Sequence, residues 1–338
     1  MLYLSTRNST DAYTAYKTLT ESECPDGGRY IPFRLPAFTD SEILALREKT
    51  LSETIADILN LFFSSRLTAW DVESCIGRNP IKLVFMNHKI LIAELWHNLQ
   101  GKYSYLVDNL YRVVLTGDNT DCSPTDWFRI AVRIAILFGI YGEMLKNEQI
   151  SALECFDIAV STGDFSAPMA VWYAREMGLP VETIICTDEE SSLVWDWIHR
   201  GTFNPIGASA ELISGIERLV CATQGTALVD AYLSKVQSGR IYSVDSENLP
   251  MINKGLFSCV AGLDRADSVI NSVFRTNQYV ITPDAALCFG GLQDYRSKTG
   301  ESRTTVILSE NTPLDHIQKI SAATGITAEK LTLNLERL

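Results

Sequence analysis

Four short stretches carry the residues best able to do chemistry. Ser161-Thr162-Gly163-Asp164-Phe165-Ser166 joins the apolar run Phe156-Asp157-Ile158-Ala159-Val160 to a helical pattern. Free backbone N–H groups at such a helix start can hold an anion. Asp164 or Ser166 can equally serve as an ordinary helix cap there. Glu94-Leu95-Trp96-His97 closes a second apolar run and puts a carboxylate near an imidazole, the pair used in general acid–base catalysis. Neighbours on a strand point to opposite faces, which works against a shared site. Lys102 follows at a helix start. A lysine amine desolvated in a cleft can form a Schiff base, whereas a solvated helix-surface lysine is the commoner state. Asp188-Glu189-Glu190 ends a further apolar run and suits the positive end of a helix dipole. No Gly-x-Ser-x-Gly elbow, Walker loop, dinucleotide fingerprint or His-Glu-x-x-His is present.

The elements that must position these residues follow from periodicity. Thr39 and Glu42 form a capping-box pattern. A second helix follows from about Glu53, with Ile55, Ile58, Leu59 and Phe62 on one face, and Thr68 opens a third. Residues 82–86 and 89–96 read as strands about the Asn87-His88 turn. A helix is expected over 99–115, a polar joint over 116–125, and a helix over 126–146 that is apolar on nearly all sides although it carries Arg133. Strand, turn, helix and strand then alternate over 156–187, the pattern of a right-handed crossover in a parallel sheet. Helix, strand and helix are expected over 283–296, 304–308 and 313–323.

Composition limits the function classes. With 338 residues, 46% of them apolar, the chain can bury a large core. A net charge of −12 without basic runs argues against nucleic acid as a partner. The 8 cysteines include no Cys-x-x-Cys pair, and the 4 histidines are scattered, so no metal site is expected. The start of the chain lacks an apolar signal core, and no run is a convincing membrane span; reduced thiols and a cytoplasmic location are expected.

Taken in order, the motifs resemble one family, threonine synthase, a pyridoxal-phosphate enzyme of the tryptophan synthase β-like fold. Tyr3-Leu4-Ser5-Thr6-Arg7 looks like its opening. Pro25-Asp26-Gly27-Gly28-Arg29-Tyr30-Ile31-Pro32 and Leu35-Pro36-Ala37-Phe38 match its most specific segment. Glu94-Leu95-Trp96-His97 is similar to its Glu-Leu-Phe/Trp-His, and Asp126-Trp127-Phe128-Arg129 to its Asn-Trp-x-Arg. Residues 161–166 resemble its phosphate loop, Pro-Ser-Gly-Asn-Phe-Gly. Glu217-Arg218-Leu219, Thr282-Pro283-Asp284-Ala285-Ala286 and Leu308-Ser309-Glu310-Asn311-Thr312-Pro313 follow in the family order. The resemblance implies an α/β fold, pyridoxal-phosphate fold type II, whose large domain holds a parallel sheet.

The departures fall on the chemistry. Counting forward from Glu94, Ser104 stands where the family's Schiff-base lysine is expected, and serine has no amine. Lys102 is the alternative, but two helix positions rotate a side chain by about 200°. The family's Thr-Ser-Gly-Asp-Thr-Gly loop, which belongs to a small domain, has no counterpart within 116–125, so that domain is expected to be largely missing. The organisation implied is an N-terminal region over 1–115 with a remnant of the small domain, and a large α/β domain over 116–338, packed as one unit or as two. Asp164 replaces an asparagine and Ser166 a glycine in the phosphate loop, adding charge and bulk where a phosphate approaches. Glu310 stands near the pyridine-nitrogen position, where other pyridoxal enzymes use a carboxylate.

The resemblance with these losses implies a pseudoenzyme. Thr162, Gly163, Asp164, Phe165, Ser166 and Glu310 would form a vestigial cofactor site, with no catalytic residue and no cofactor. Its role would be to bind a small molecule in the old cleft, a protein partner, or a second copy. One alternative is a pyridoxal-phosphate lyase making threonine from O-phosphohomoserine through Lys102. Another is non-pyridoxal chemistry using His97 with Glu94, or Asp164 with Glu310.

Overall fold

The computed structural model describes residues 1–77, 81–96, 102–115, 123–163 and 165–335. The chain opens with β1 (Leu2–Ser5), β2 (Tyr13–Thr14), α1 (Ala15–Thr20) and β3 (Tyr30–Pro32). These three strands make an antiparallel sheet in the order β2-β1-β3, which the sequence reading did not anticipate. Helices α2 (Asp40–Ala45), α3 (Leu51–Phe63) and α4 (Ala69–Ile76) follow. Each starts at a full capping box, formed by Thr39 with Glu42, Thr50 with Glu53, and Thr68 with Asp71. In each box the acid's side chain accepts from the cap's backbone N–H while the threonine hydroxyl accepts from the acid's own N–H, so two orphan donors are satisfied at once.

Next come β4 (Lys82–Met86), β5 (Ile90–Glu94), α5 (Tyr103–Leu115) and α6 (Asp126–Lys146). The first part of the helix expected over 99–115 lies outside the described residues, as does 116–122 of the polar joint. The crossover unit is β6 (Phe156–Ser161), α7 (Ser166–Glu176), β7 (Val181–Asp188) and α8 (Leu193–Arg200). Then follow β8 (Thr202–Phe203), α9 (Ala210–Gln224), α10 (Thr226–Gln237), β9 (Tyr242–Ser243), α11 (Leu249–Ile252) and β10 (Leu256–Val260). The chain closes through α12 (Leu263–Asn277), α13 (Pro283–Thr299), β11 (Thr305–Ser309), α14 (Ile317–Thr324) and α15 (Ala328–Leu335).

The central sheet has six strands in the order β10-β7-β6-β11-β5-β4. Five run parallel; β4 pairs antiparallel with β5, so the sheet is mostly rather than wholly parallel. The hairpin explains the exception, since a three-residue turn over Asn87, His88 and Lys89 reverses the chain. Strands from both sides of residue 116 share this sheet, because β5 pairs with β11. Both faces are covered. Ile158, Val160, Ile184 and Val306 face one core, which includes α3, α6 and α7; Ala159, Ile185 and Ile307 face the other, under α12 and α13. That two-sided burial is why the strands read as continuous apolar runs.

The α6 helix is the axis of the larger core, packed between α3 and α7. Its buried residues run nearly all the way round, from Trp127 to Leu145. Gly139 and Gly142 allow the close approach. A Cβ on Gly142 would sit 2.8 Å from the Leu46 carbonyl oxygen, and one on Gly139 would meet the Leu51 side chain. Among the described residues no helix is long and apolar enough to cross a membrane.

Candidate functional site

The parallel strands end on one edge, and there the topology gathers Glu94 from β5, Thr162 after β6, Asp188 from β7 and Glu310 after β11. In open α/β sheets this carboxyl edge is where ligands bind.

The turn after β6 is tight. Gly163 has φ of +39° and Phe165 has φ of +64°, both left-handed. Phe165 accepts that strain because its ring is fully buried and its N–H donates to the Thr162 carbonyl. Phe165 is the N-cap residue of α7 and makes no side-chain cap bond. Ser166 is therefore not the cap expected from the sequence; it is the first helical residue. Asp164 lies outside the described residues. The Thr162 hydroxyl donates to Asp188 Oδ2 at 3.0 Å, and Asp188 Oδ1 accepts from the Ser191 N–H. Asp188 thus braces the loop with one carboxylate oxygen and takes a backbone N–H just before α8 with the other. Pro168 removes one N–H from the first turn of α7.

The centre of the edge is Arg133. Its Nε and Nη2 donate to the two oxygens of Glu310 at 2.8 and 3.0 Å. Its Nη1 donates to Ser166 Oγ at 3.0 Å. The guanidinium lies 5.0 Å from the centre of the Tyr103 ring. One side chain therefore joins α6, the start of α7, the end of β11 and the start of α5. The sequence reading placed Arg133 only as a charge in a buried helix and gave it no role. That charge, isolated among apolar neighbours, was the available signal, since a buried guanidinium needs a partner.

Ser104 lies on the first turn of α5 and is exposed, while its neighbour Tyr103 is buried. Lys102 precedes the helix, half-exposed, with its Nζ 3.2 Å from Asp315 Oδ1. Each acid–base pair considered from sequence, His97 with Glu94 and Asp164 with Glu310, includes one residue outside the described ones, His97 and Asp164 respectively. Glu94 is buried and accepts from the Tyr279 hydroxyl at 2.7 Å. Burial pushes the Glu94 carboxyl up, against the opposing effects of the Tyr279 hydrogen bond and the Lys82 charge. Burial likewise pushes up Asp284, with Glu310 adding a smaller like-charge effect.

Glu217 and Arg218 have a clear structural task. Glu217, almost wholly buried on α9, accepts from the Thr6 hydroxyl at 2.5 Å and from Arg7 Nε and Nη2 at 3.1 and 3.0 Å. Arg218 donates to Asp126 at 2.9 Å and to the Tyr30 carbonyl at 3.4 Å. The two pin the N-terminal sheet to α9 and α6. They touch none of the loop or Arg133 groups in these bonds.

Fold and site together define an α/β protein whose candidate site lies at the carboxyl edge of a mostly parallel sheet. Residues 2–79 match the family model for the threonine synthase N terminus. Threonine synthase-like 1 of Homo sapiens is 21% identical over 192 residues, covering 52% of this chain and 25% of the human protein; that of Pongo abelii matches to the same extent. The chain thus spans about a quarter of the length of these curated relatives. The pyridoxal-phosphate-bound threonine synthase of Brucella melitensis superposes with a TM-score of 0.83 at 18% identity, over 96% of this chain and 91% of that one. The yeast threonine synthase gives 0.79 at 14%, over 96% and 90%. The N-terminal region is thus similar to that of threonine synthases, and the fold is the α/β fold of pyridoxal-phosphate fold type II that those solved structures share.

Pyridoxal phosphate held as an imine needs a lysine amine and free donors for its phosphate. Position 104 offers a hydroxyl, and the Lys102 amine is paired with Asp315. The Thr162 hydroxyl and the Phe165 N–H donate to Asp188 and to the Thr162 carbonyl, while Ser166 Oγ accepts from Arg133. Ser104 and the paired Lys102 do not fit a cofactor held as an imine.

Proposed function

We propose that this chain is a non-catalytic member of the threonine synthase family, with a binding role in place of cofactor chemistry. The observation that carries this reading is the Arg133 bridge. One guanidinium joins Ser166 of the phosphate-type loop to Glu310 at the pyridine-nitrogen position. It fixes with protein atoms the two elements that a cofactor would otherwise link. The exposed hydroxyl of Ser104 supports the same reading, since it supplies no imine nitrogen.

The binding role belongs to the remodelled cleft, with a small molecule as ligand. Titration of the purified protein with pyridoxal phosphate, followed by visible absorption, tests the loss of cofactor chemistry. No protein-dependent imine band is expected. A saturable band, with phosphate release from O-phosphohomoserine, would instead establish a lyase working through Lys102.

A further inference from the structure

The outer face of α12 is polar and carries opposite charges at its two ends. One row holds Asp267, Asn271 and Arg275 at four-residue spacing, and the row beside it holds Ser268, Ser272 and Thr276. Both rows line one groove of about 580 Å³, which Ala323 of α14 also lines. We propose that this face is an interface with a second copy of the chain, whose α12 lies antiparallel in the groove about a two-fold axis at Asn271 and Ser272. That arrangement sets Asp267 of each copy against Arg275 of the other. The face belongs to α12 and α14, which supply none of the residues of the carboxyl-edge site, so it stands apart from the role proposed for the cleft.

Three observations carry it. First, both charges lack partners. Neither Asp267 nor Arg275 has an ion pair among the described residues, and Asp267 Oδ1 is shut from solvent with no hydrogen-bond partner. A carboxylate held that way gains from a cation brought beside it. Second, the hydroxyls are free. Elsewhere in the chain helix hydroxyls turn back on their own backbone, as Ser214 does to the Ala210 carbonyl, Thr223 to Leu219 and Thr332 to Ala328. Ser268, Ser272 and Thr276 are exposed and make no hydrogen bond among the described residues. Third, the groove is held in shape. Asn271 Nδ2 donates to the Ala323 carbonyl at 2.6 Å and ties α12 to α14.

The spacing favours a second copy over an unrelated partner. Asp267 and Arg275 lie about 12 Å apart along the helix, with Asn271 midway. An antiparallel copy presents the same two charges in reverse order, so both pairs form at once, which is the self-complementarity of a two-fold contact. Small side chains at Ser268 and Ser272 let the helix axes approach to about 8–10 Å. The net charge of −12 on each copy opposes encounter. At physiological salt that field is screened beyond about 8 Å, whereas contacting Asp267 and Arg275 lie inside that distance. A contact along about three helical turns falls below the roughly 1,200 Å² of stable complexes, so the dimer is weak and exchanges rapidly.

Sedimentation velocity of the full chain across a concentration series, at physiological salt, tests this. Wild type is expected to show a reversible monomer–dimer equilibrium. Asp267→Arg and Arg275→Asp each set like charges together twice and are expected to weaken self-association at least about tenfold. The two variants mixed are expected to associate with each other, because every charged contact is then again Arg against Asp. The double variant Asp267→Arg/Arg275→Asp is expected to self-associate as wild type does. Arg240→Asp, exposed between α10 and β9, changes net charge as Arg275→Asp does and is expected to leave the dimer unchanged. Melting curves follow folding, and Asp267→Asn with Arg275→Gln carry the comparison where a reversal fails to fold, each expected to weaken the dimer less. A wild type that stays monomeric throughout the series would overturn the proposal. So would a dimer that survives both single reversals, or a mixture of the two that stays monomeric.

Discussion

Arg133 and Glu94 are the two residues whose surroundings differ most from what their neighbours in sequence imply. Arg133 sits in a helix that is otherwise buried, and its charge is tolerated because Glu310, Ser166 and Tyr103 compensate it. Arg133→Met keeps the length and removes the charge, leaving Glu310 partly buried without it. A loss of about 1–3 kcal/mol in stability is expected, read by denaturant unfolding. Glu94 is a different case. Burial raises its carboxyl, so the folded protein binds that proton more tightly than the unfolded chain does. Its contribution to stability is present below the ordinary carboxyl range and is lost as pH rises through the folded value. Glu94→Gln retains an acceptor for Tyr279 and removes the titration. The variant is expected to melt higher than wild type near neutral pH, with the gap closing below about pH 4. A gap that persisted unchanged at low pH would mean that ionisation is not the cause.

At the scale of elements, the close seam is between α6 and the turn at Leu46–Glu48, which follows α2. Gly142→Ala sets a Cβ against a backbone carbonyl, which only a shift of the backbone can relieve. Gly139→Ala meets a leucine side chain, which can rotate. The first substitution is expected to cost about 2–3 kcal/mol and the second less, measured side by side by thermal unfolding. The pins on α9 act at the same scale. Glu217→Ala strands Arg7 and the Thr6 hydroxyl and is expected to cost about 3 kcal/mol. Limited proteolysis is expected to cut first within the N-terminal sheet of that variant.

How legible these elements were depends on where their information lies. The three capping boxes involve residues three apart, and the strands carry two-sided burial in their composition, so both could be read from sequence. The small β1-β2-β3 sheet could not, because its strands are short and its register depends on pairings such as Leu4 with Ile31. The loop at 161–166 was found as a turn, but its bracing by Asp188 and Arg133 joins residues more than twenty apart. Glu217 and Arg218 were visible only through family resemblance, and their task as pins emerges from packing.

Across the whole molecule, the fold is one shared with threonine synthases, while Ser166 and Glu310 both bond to Arg133 and Thr162 bonds to Asp188. The fold depends on sheet order and two apolar cores, which tolerate the low identity of 14–18% to solved relatives. The cofactor chemistry that the resemblance implies depends on a few side chains, and Ser104 stands where it implies a lysine. Ser104 and the Arg133 bridge are separate features that point the same way. The most direct measurement is borohydride reduction of the protein incubated with pyridoxal phosphate, followed by peptide mass mapping. The account predicts no site-specific adduct on the segment carrying Lys102 and Ser104, only scattered modification of exposed lysines. A single stoichiometric adduct on Lys102 would contradict it.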